Sequence, residues 1–216
     1  MSASPTGLPL VLAGPSGGGK TSVCSLLSNR HDDVEFSVSA TSRSPRAGEV
    51  DGVHYHFVSR ERFQEMARDG DLLEWAEVHG EWYGTPTANL AVCAEAGRVL
   101  LLDIDVQGAR RMRRALESAV LVFLLPPSAQ QLLERLRGRG SENSEGLQRR
   151  MRSALSELEA VGEFDYAVVN DDLNSTVEVV ESILVAERAS VRRLGAEAVE
   201  RAASIAAELK EGMSGT

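Results

Sequence analysis

The run Gly14-Pro15-Ser16-Gly17-Gly18-Gly19-Lys20-Thr21 fits the spacing G-x-x-x-x-G-K-[ST] in full. Glycines at these places let the backbone wrap an anion with its N–H groups turned inward. A helix starting here would aim the positive end of its dipole at bound phosphates. Lys20 would then reach the β and γ oxygens of a nucleoside triphosphate, and Thr21 would offer its hydroxyl to Mg²⁺. The competing reading, a glycine-rich turn that only starts a helix, is weakened by the strand pattern before it and the helical pattern after it. A metal held by Thr21 also needs an acid. Val99-Leu100-Leu101-Leu102-Asp103 is an apolar strand ending in one, and the carboxyl ends of parallel strands gather at a ligand crevice. Asp103 is therefore the candidate metal partner. Asp105 is better suited to capping the helix that follows.

The elements that must position these residues follow from the hydrophobic pattern. Leu8–Ala13, Val99–Ile104, Ala119–Leu125 and Tyr166–Val169 read as buried strands. Helical patterns lie near Val106–Leu116, Ser128–Leu136, Leu147–Val161 and Thr176–Ala189. This alternation predicts an α/β fold with a mainly parallel sheet. A mixed lobe interrupts it, with strands at Val53–Val58, Leu72–Val78 and Trp82–Thr85. A helix near Arg60–Arg68 lies within the lobe, capped by Ser59 and stopped by Gly70. Gly138–Gly146 reads as a mobile loop between helices. The tail from Arg192 to Glu211 is helical, with apolar residues at Leu194, Ala198, Ala202, Ile205 and Leu209. That stripe would either cover the core or pair two copies into a homo-oligomer.

Composition sets the outer bounds. The chain has 216 residues, 43% hydrophobic and 25% charged, which suits one globular domain. A formal net charge of −9 argues against a nucleic-acid partner but leaves room for a local cationic pocket. Cys24 and Cys93 lack metal-ligand spacing and read as buried thiols of a reducing compartment. With no signal-like start and no long apolar run, the expectation is a cytoplasmic protein without a membrane span. Lysine occurs only at Lys20 and Lys210 in an arginine-rich chain, which singles out Lys20.

A second stretch, Phe36-Ser37-Val38-Ser39-Ala40-Thr41-Ser42-Arg43-Ser44-Pro45-Arg46-Ala47-Gly48-Glu49, resembles the signature of the guanylate kinase family. The resemblance continues through Gly52–Val58, Leu73–Ala76, Tyr83–Thr85, Leu102–Gly108 and Val169–Leu173, and covers about Leu8 to Glu187. It implies a P-loop nucleoside monophosphate kinase fold in a single domain. A parallel sheet core with helices on both faces would use residues 7–36, 91–134 and 156–190. An inserted mixed α/β GMP-binding lobe would span 37–90, a small helical lid 135–155, and a helical extension 191–216.

The implied activity is ATP:GMP phosphotransfer, giving ADP and GDP, in purine nucleotide metabolism and GMP recycling. ATP and GMP are the implied partners and Mg²⁺, as Mg-ATP, the cofactor; use of dGMP is left open. Glu74 matches the family's guanine-reading carboxylate, and Ser39 and Thr85 match its hydroxyl positions. The chemistry is sound, because guanine shows donors at N1 and N2 to a carboxylate and an acceptor at O6 to hydroxyls. Adenine, with an acceptor at N1, would leave Glu74 unpaired. Arg43, Arg46, Tyr55 and Tyr83 match the acceptor-phosphate positions, with Asp103 and Asp105 beside them. Arg135, Arg139 and Arg150 match the lid arginines. With Lys20 and Arg46 they are the implied catalytic cations, supplying counter-charge to the transferred group. Asn170 matches an adenine-side position, and His31, His54, His56 and His79 read as bystanders. Two alternatives remain. Guanylate-kinase-like scaffold modules bind phosphopeptides, but their P-loops are typically damaged. A related kinase for another acceptor, such as a ribose bisphosphate, would not need Glu74, Ser39 and Thr85 together.

Overall fold

The computed structural model describes residues 7–78, 80–138 and 144–214. Along the chain run β1 (Leu8–Ala13), α1 (Lys20–Arg30), β2 (Val34–Phe36), β3 (Ala40–Thr41), β4 (His56–Phe57), α2 (Arg60–Asp69), β5 (Leu72–Val78), β6 (Glu81–Pro86) and α3 (Thr87–Glu95). Then come β7 (Val99–Asp103), α4 (Val106–Ala115), β8 (Val120–Leu125), α5 (Ala129–Gly138), α6 (Ser144–Leu158), a 3-10 turn (Glu159–Glu163), β9 (Tyr166–Val169), α7 (Leu173–Arg188) and α8 (Val191–Ser214).

Strand periodicity builds the core. Leu8, Leu10 and Leu12 of β1 point to one face, where they meet Val23, Cys24 and Leu27 of α1 and Val177, Val180 and Leu184 of α7. Val11 and Ala13 point to the other face, with Cys93 of α3 and Ala109 and Met112 of α4. A sheet apolar on both faces demands helices on both, which is why these strands read as unbroken hydrophobic runs. Each fully buried Leu or Val contributes roughly 1.5–3 kcal/mol by leaving water. All strands of this sheet are parallel, in the order β2-β7-β1-β8-β9. The chain passes from β7 on one side of β1 to β8 on the other, so the crevice opens at the carboxyl ends of β1 and β7. Leu12 is registered opposite Asp103, which sets that acid beside the loop leaving β1.

A second, mixed sheet has the order β4-β3-β6-β5. The α2 helix beside it is capped as expected: Ser59 Oγ accepts the Arg62 N–H at 3.1 Å, and Gly70 closes it with φ 78°. The strand predicted over Val53–Val58 is mostly a turn. Gly52 sits at φ 73°, His54 Nδ1 accepts the Val50 N–H, Tyr55 makes an isolated bridge to Asp51, and the strand proper is His56–Phe57. Strand β2 and helix α3 were not anticipated, and α6 begins before the helix read from the pattern.

The tail is helical, but Gly195 breaks it with φ 51° and ψ −126°. Arg193 fixes its start, donating to Glu187 at 3.1 Å and to the Ser118 carbonyl at 2.6 Å. Beyond the break the helix does not cover the core. Ile205, Leu209 and Met213 are 51%, 64% and 81% exposed. Among the described residues, no helix is long and apolar enough to cross a membrane.

Candidate active site

The loop after β1 has the geometry its sequence requires. Gly14 has φ 143°, and a Cβ there would lie 2.5 Å from the Leu124 carbonyl oxygen. Gly19 caps α1 from the left-handed region at φ 87°, where a Cβ would meet Asn170 Nδ2 at 2.3 Å. No other residue type fits either place. Lys20 Nζ donates to the carbonyls of Gly14 at 2.9 Å and Pro15 at 3.4 Å. The Gly18 N–H donates to Pro15 O at 2.8 Å, which tightens the turn. Thr21 Oγ1 donates to Asp103 Oδ2 at 2.7 Å, so hydroxyl and acid stand together at the end of β7.

Two clefts meet at this point. One, of about 580 Å³, is lined by Gly14, Ser16, Gly17, Gly19, Lys20, Thr21 and inward residues of α6. The other, of about 190 Å³, runs into the second sheet past Ser39, Glu74, Gly84 and Gly108. Lys20, Tyr55, Tyr83, Asp103 and Asp105 line both. A group bound in either cleft is therefore reached from the other across the same lysine and acid.

Glu74 sits at the inner end of the smaller cleft, 6% exposed. Burial pushes its carboxyl above the ordinary Glu value; the Thr85 hydrogen bond opposes that rise and the charge of Asp105 adds to it. Thr85, fully buried, donates its hydroxyl to Glu74 Oε1 at 2.8 Å. Thr85 does not line the cleft. It orients the carboxylate, and Ser39 is the hydroxyl residue on the cleft wall. Gly108 lies at the other side of the acid, where a Cβ would be 3.2 Å from Glu74 Oε2, tighter than ordinary contact. Asp105 caps α4, its Oδ1 accepting the Gly108 N–H at 2.6 Å, and so holds that glycine in place.

Tyr55 and Tyr83 stand edge to face with centroids 5.9 Å apart. Burial, then the charge of Asp103, raises the Tyr55 phenol above its usual value, so it stays a donor. Arg43 lies 5.4 Å over the Tyr55 ring. Its fork is filled by Glu49, with both N–O distances 2.9 Å. That pairing pulls the Glu49 carboxyl down to about 2 and keeps Arg43 charged. Arg43 Nε is buried and has no hydrogen-bond partner. Neither Arg43 nor Arg46 lines a cleft; Arg46 is exposed, and its backbone N–H donates to Glu49 at 2.6 Å. Glu49 is thus a residue of this site that sequence reasoning left without a role.

Arg135 of α5 packs on the loop: a Cβ at Gly17 would lie 3.5 Å from the Arg135 Cβ. It shares a further hollow of about 430 Å³ with Gly17, Gly19, Asn170 and Asp171. Arg150 of α6 lines the larger cleft and donates to the Leu136 carbonyl at 3.3 Å. Arg139 and His79 lie outside the described residues. Buried Asn170 donates Nδ2 to the Gly18 carbonyl at 2.7 Å and accepts from Thr176 Oγ1 at 3.1 Å, so it braces the loop. His31 pairs with Glu181 at 3.0 Å, and His31, His54 and His56 line neither cleft.

Comparison with known proteins fits this geometry. A family model described as Guanylate kinase matches residues 6–187. The guanylate kinase of Clostridium perfringens (strain SM101 / Type A) is 45% identical over 188 residues, 87% of each chain. That of Rhodococcus jostii (strain RHA1) is 49% identical over 178 residues, 82% of this chain and 86% of the relative. The crystal structure of guanylate kinase from Anaplasma phagocytophilum is similar with a TM-score of 0.73 and 34% identity, covering 89% of this chain and 93% of that one. The family match ends before α8.

Proposed function

The chain belongs to the guanylate kinase family, and from that premise we infer how its residues divide the transfer of the γ-phosphoryl group of ATP to GMP. The enzyme is a phosphotransferase that makes ADP and GDP. The observation that carries the division of roles is the shared wall of the two clefts, made by Lys20, Tyr55, Val78, Tyr83, Asp103 and Asp105.

ATP lies along the loop from Gly14 to Thr21, its phosphates on the N–H groups at the start of α1. Lys20 exchanges the Gly14 and Pro15 carbonyls for phosphate oxygens. GMP enters the smaller cleft base first. Guanine N1–H and N2–H donate to Glu74, and Ser39 faces the base edge. The GMP phosphate meets the phenols of Tyr55 and Tyr83, with Arg43 and Arg46 as its cations. That phosphate is already an anionic nucleophile, so no general base is required. The reaction spreads charge over the equatorial oxygens of the moving group, and Lys20, Arg135 and Arg150 supply the counter-charge.

Thr21 and Asp103 suit Mg²⁺: both are hard oxygen donors, and they touch at 2.7 Å. Bound there, Mg²⁺ would neutralise charge on the β and γ oxygens.

With γ-labelled ATP, label should pass to GDP only when GMP and Mg²⁺ are both present. Label released as inorganic phosphate, with none in GDP, would overturn the reading.

Glu74 also makes guanine binding depend on pH. Its carboxyl is raised, and only the ionised form accepts two donors. Lowering the pH through that raised range protonates it and weakens GMP. The kcat/KM for GMP should therefore fall towards acid more steeply in the wild type than in Glu74→Gln, which lacks that titrating carboxyl. Superimposable profiles would remove Glu74 from guanine recognition.

Self-pairing of two chains through the exposed stripe of α8 is a further proposal, and a single-chain mass by light scattering would dismiss it.

A further inference from the structure

The inward face of α6 carries a residue that neither motif nor resemblance singled out. Arg150, Ser153 and Glu157 are spaced by three, four and seven positions, so they share one helix face. All three line the larger cleft. Glu157 Oε2 accepts the Ser16 N–H of the phosphate-binding loop at 3.1 Å, and Glu157 Oε1 accepts from Ser153 Oγ at 2.9 Å. Both carboxylate oxygens are thus directed, one by its own helix and one by the loop.

A carboxylate lining a cleft meant for a triphosphate repels its ligand. Its placement calls for a gain elsewhere, and the packing of the lid helices supplies one. α5 and α6 pack on each other through a small core of their own, built on Leu132, Leu136 and Ala154. That core fixes the helices to one another and meets the loop on the α5 side, where Leu132 and Leu136 lie beside Gly17, so the register of α6 itself on the loop needs a contact from α6. The hydrogen bond from Ser16 to Glu157 is such a contact. Arg150 lies seven residues earlier, about 10 Å along the axis at 1.5 Å per residue. A helix anchored at Glu157 therefore projects Arg150 towards the triphosphate from a fixed distance.

We propose that Glu157 is a positioning residue, which registers α6 on the Ser16 N–H so that Arg150 faces the transferred phosphoryl group. This rests on the role given to Arg150 above. Misplacing a charge by about 1 Å can cost on the order of 10²-fold in rate.

Glu157→Ala should lower kcat by about 10- to 100-fold and leave KM for GMP unchanged. Glu157→Gln keeps an acceptor for the Ser16 N–H and should restore most of that loss. The double variant Arg150→Ala/Glu157→Ala should be no slower than Arg150→Ala alone, because both changes remove one contribution. Thermal unfolding of each variant checks that the fold persists. Wild-type kcat in Glu157→Ala, with Arg150→Ala impaired, overturns the proposal and leaves the Arg150 reading standing. Additive losses, or a Gln variant as slow as the Ala variant, also overturn it. Full turnover by Arg150→Ala overturns the reading of Arg150 and this proposal with it.

Discussion

Lys20→Ala is expected to lower kcat by at least about 10²–10³-fold, the usual loss when one preorganised donor to a developing charge is removed. Lys20 stands where the two clefts meet and is held ready by the Gly14 and Pro15 carbonyls. Those bonds are the ones it must give up to reach phosphate, so its contribution is made in the loaded enzyme. The unfolding midpoint should stay close to that of the wild type, because α1 is held by Val23, Cys24 and Leu27 in the core and not by the lysine. An arginine in its place should rescue poorly, since the planar fork does not fit a space shaped for a compact ammonium. Steady-state kinetics beside thermal unfolding make the check. A large drop in the midpoint would assign the loss to folding instead.

Glu74→Gln is expected to cost about 10²–10³-fold in kcat/KM for GMP. It replaces charge-assisted bonds, each worth about 1.5–3 kcal/mol, by an amide that offers one acceptor and a competing donor. Its effect on stability should have the opposite sign. The Glu74 carboxyl is raised in the folded protein, so folding holds the proton more tightly than the unfolded chain does. The folded state is therefore penalised as pH rises from the ordinary Glu value through the raised one, and the penalty is complete above the raised one. The amide removes it. A variant that binds GMP poorly yet melts at or above the wild-type midpoint separates a functional acid from a structural one. A fall in both would mean that the Thr85–Glu74 pair chiefly holds β5 to β6.

The parts of the fold legible in the sequence are those whose signal is local. Leu8–Ala13 and Val99–Asp103 are apolar runs because both faces of their strands are covered. Glycines at 14 and 19 are dictated by φ and by close contacts. Val34–Phe36 was not legible, since three residues with a glutamate in the middle become a strand only by pairing with β7. α3 escaped notice because its cap, Pro86, offers no side-chain bond and its residues lack a clear polar face. Val53–Val58 misled by alternating like a strand, while Gly52 and the His54–Val50 bond turned it.

The same divide runs through the site. Lys20, Thr21, Asp103, Glu74, Tyr55 and Tyr83 were found from motif and resemblance, and they lie together. Glu49 and Glu157 were not assigned. Each is one of many acids in this chain, and only the three-dimensional path puts one on the Arg43 fork and the other on the Ser16 N–H. Thr85 was assigned to the base, yet its hydroxyl is engaged by Glu74.

The central claim is that the donor loop faces a guanine site read by Glu74. The measurement closest to it is the initial rate of ADP formation from Mg-ATP with GMP, AMP, CMP and UMP offered singly to the wild type and to Glu74→Gln. The account predicts a kcat/KM for GMP at least about 10³-fold above each of the others, since buried polar groups left unpaired discriminate that strongly. It also predicts that this margin shrinks in the variant. Comparable turnover of AMP by the wild type, or an undiminished GMP preference in the variant, would contradict it.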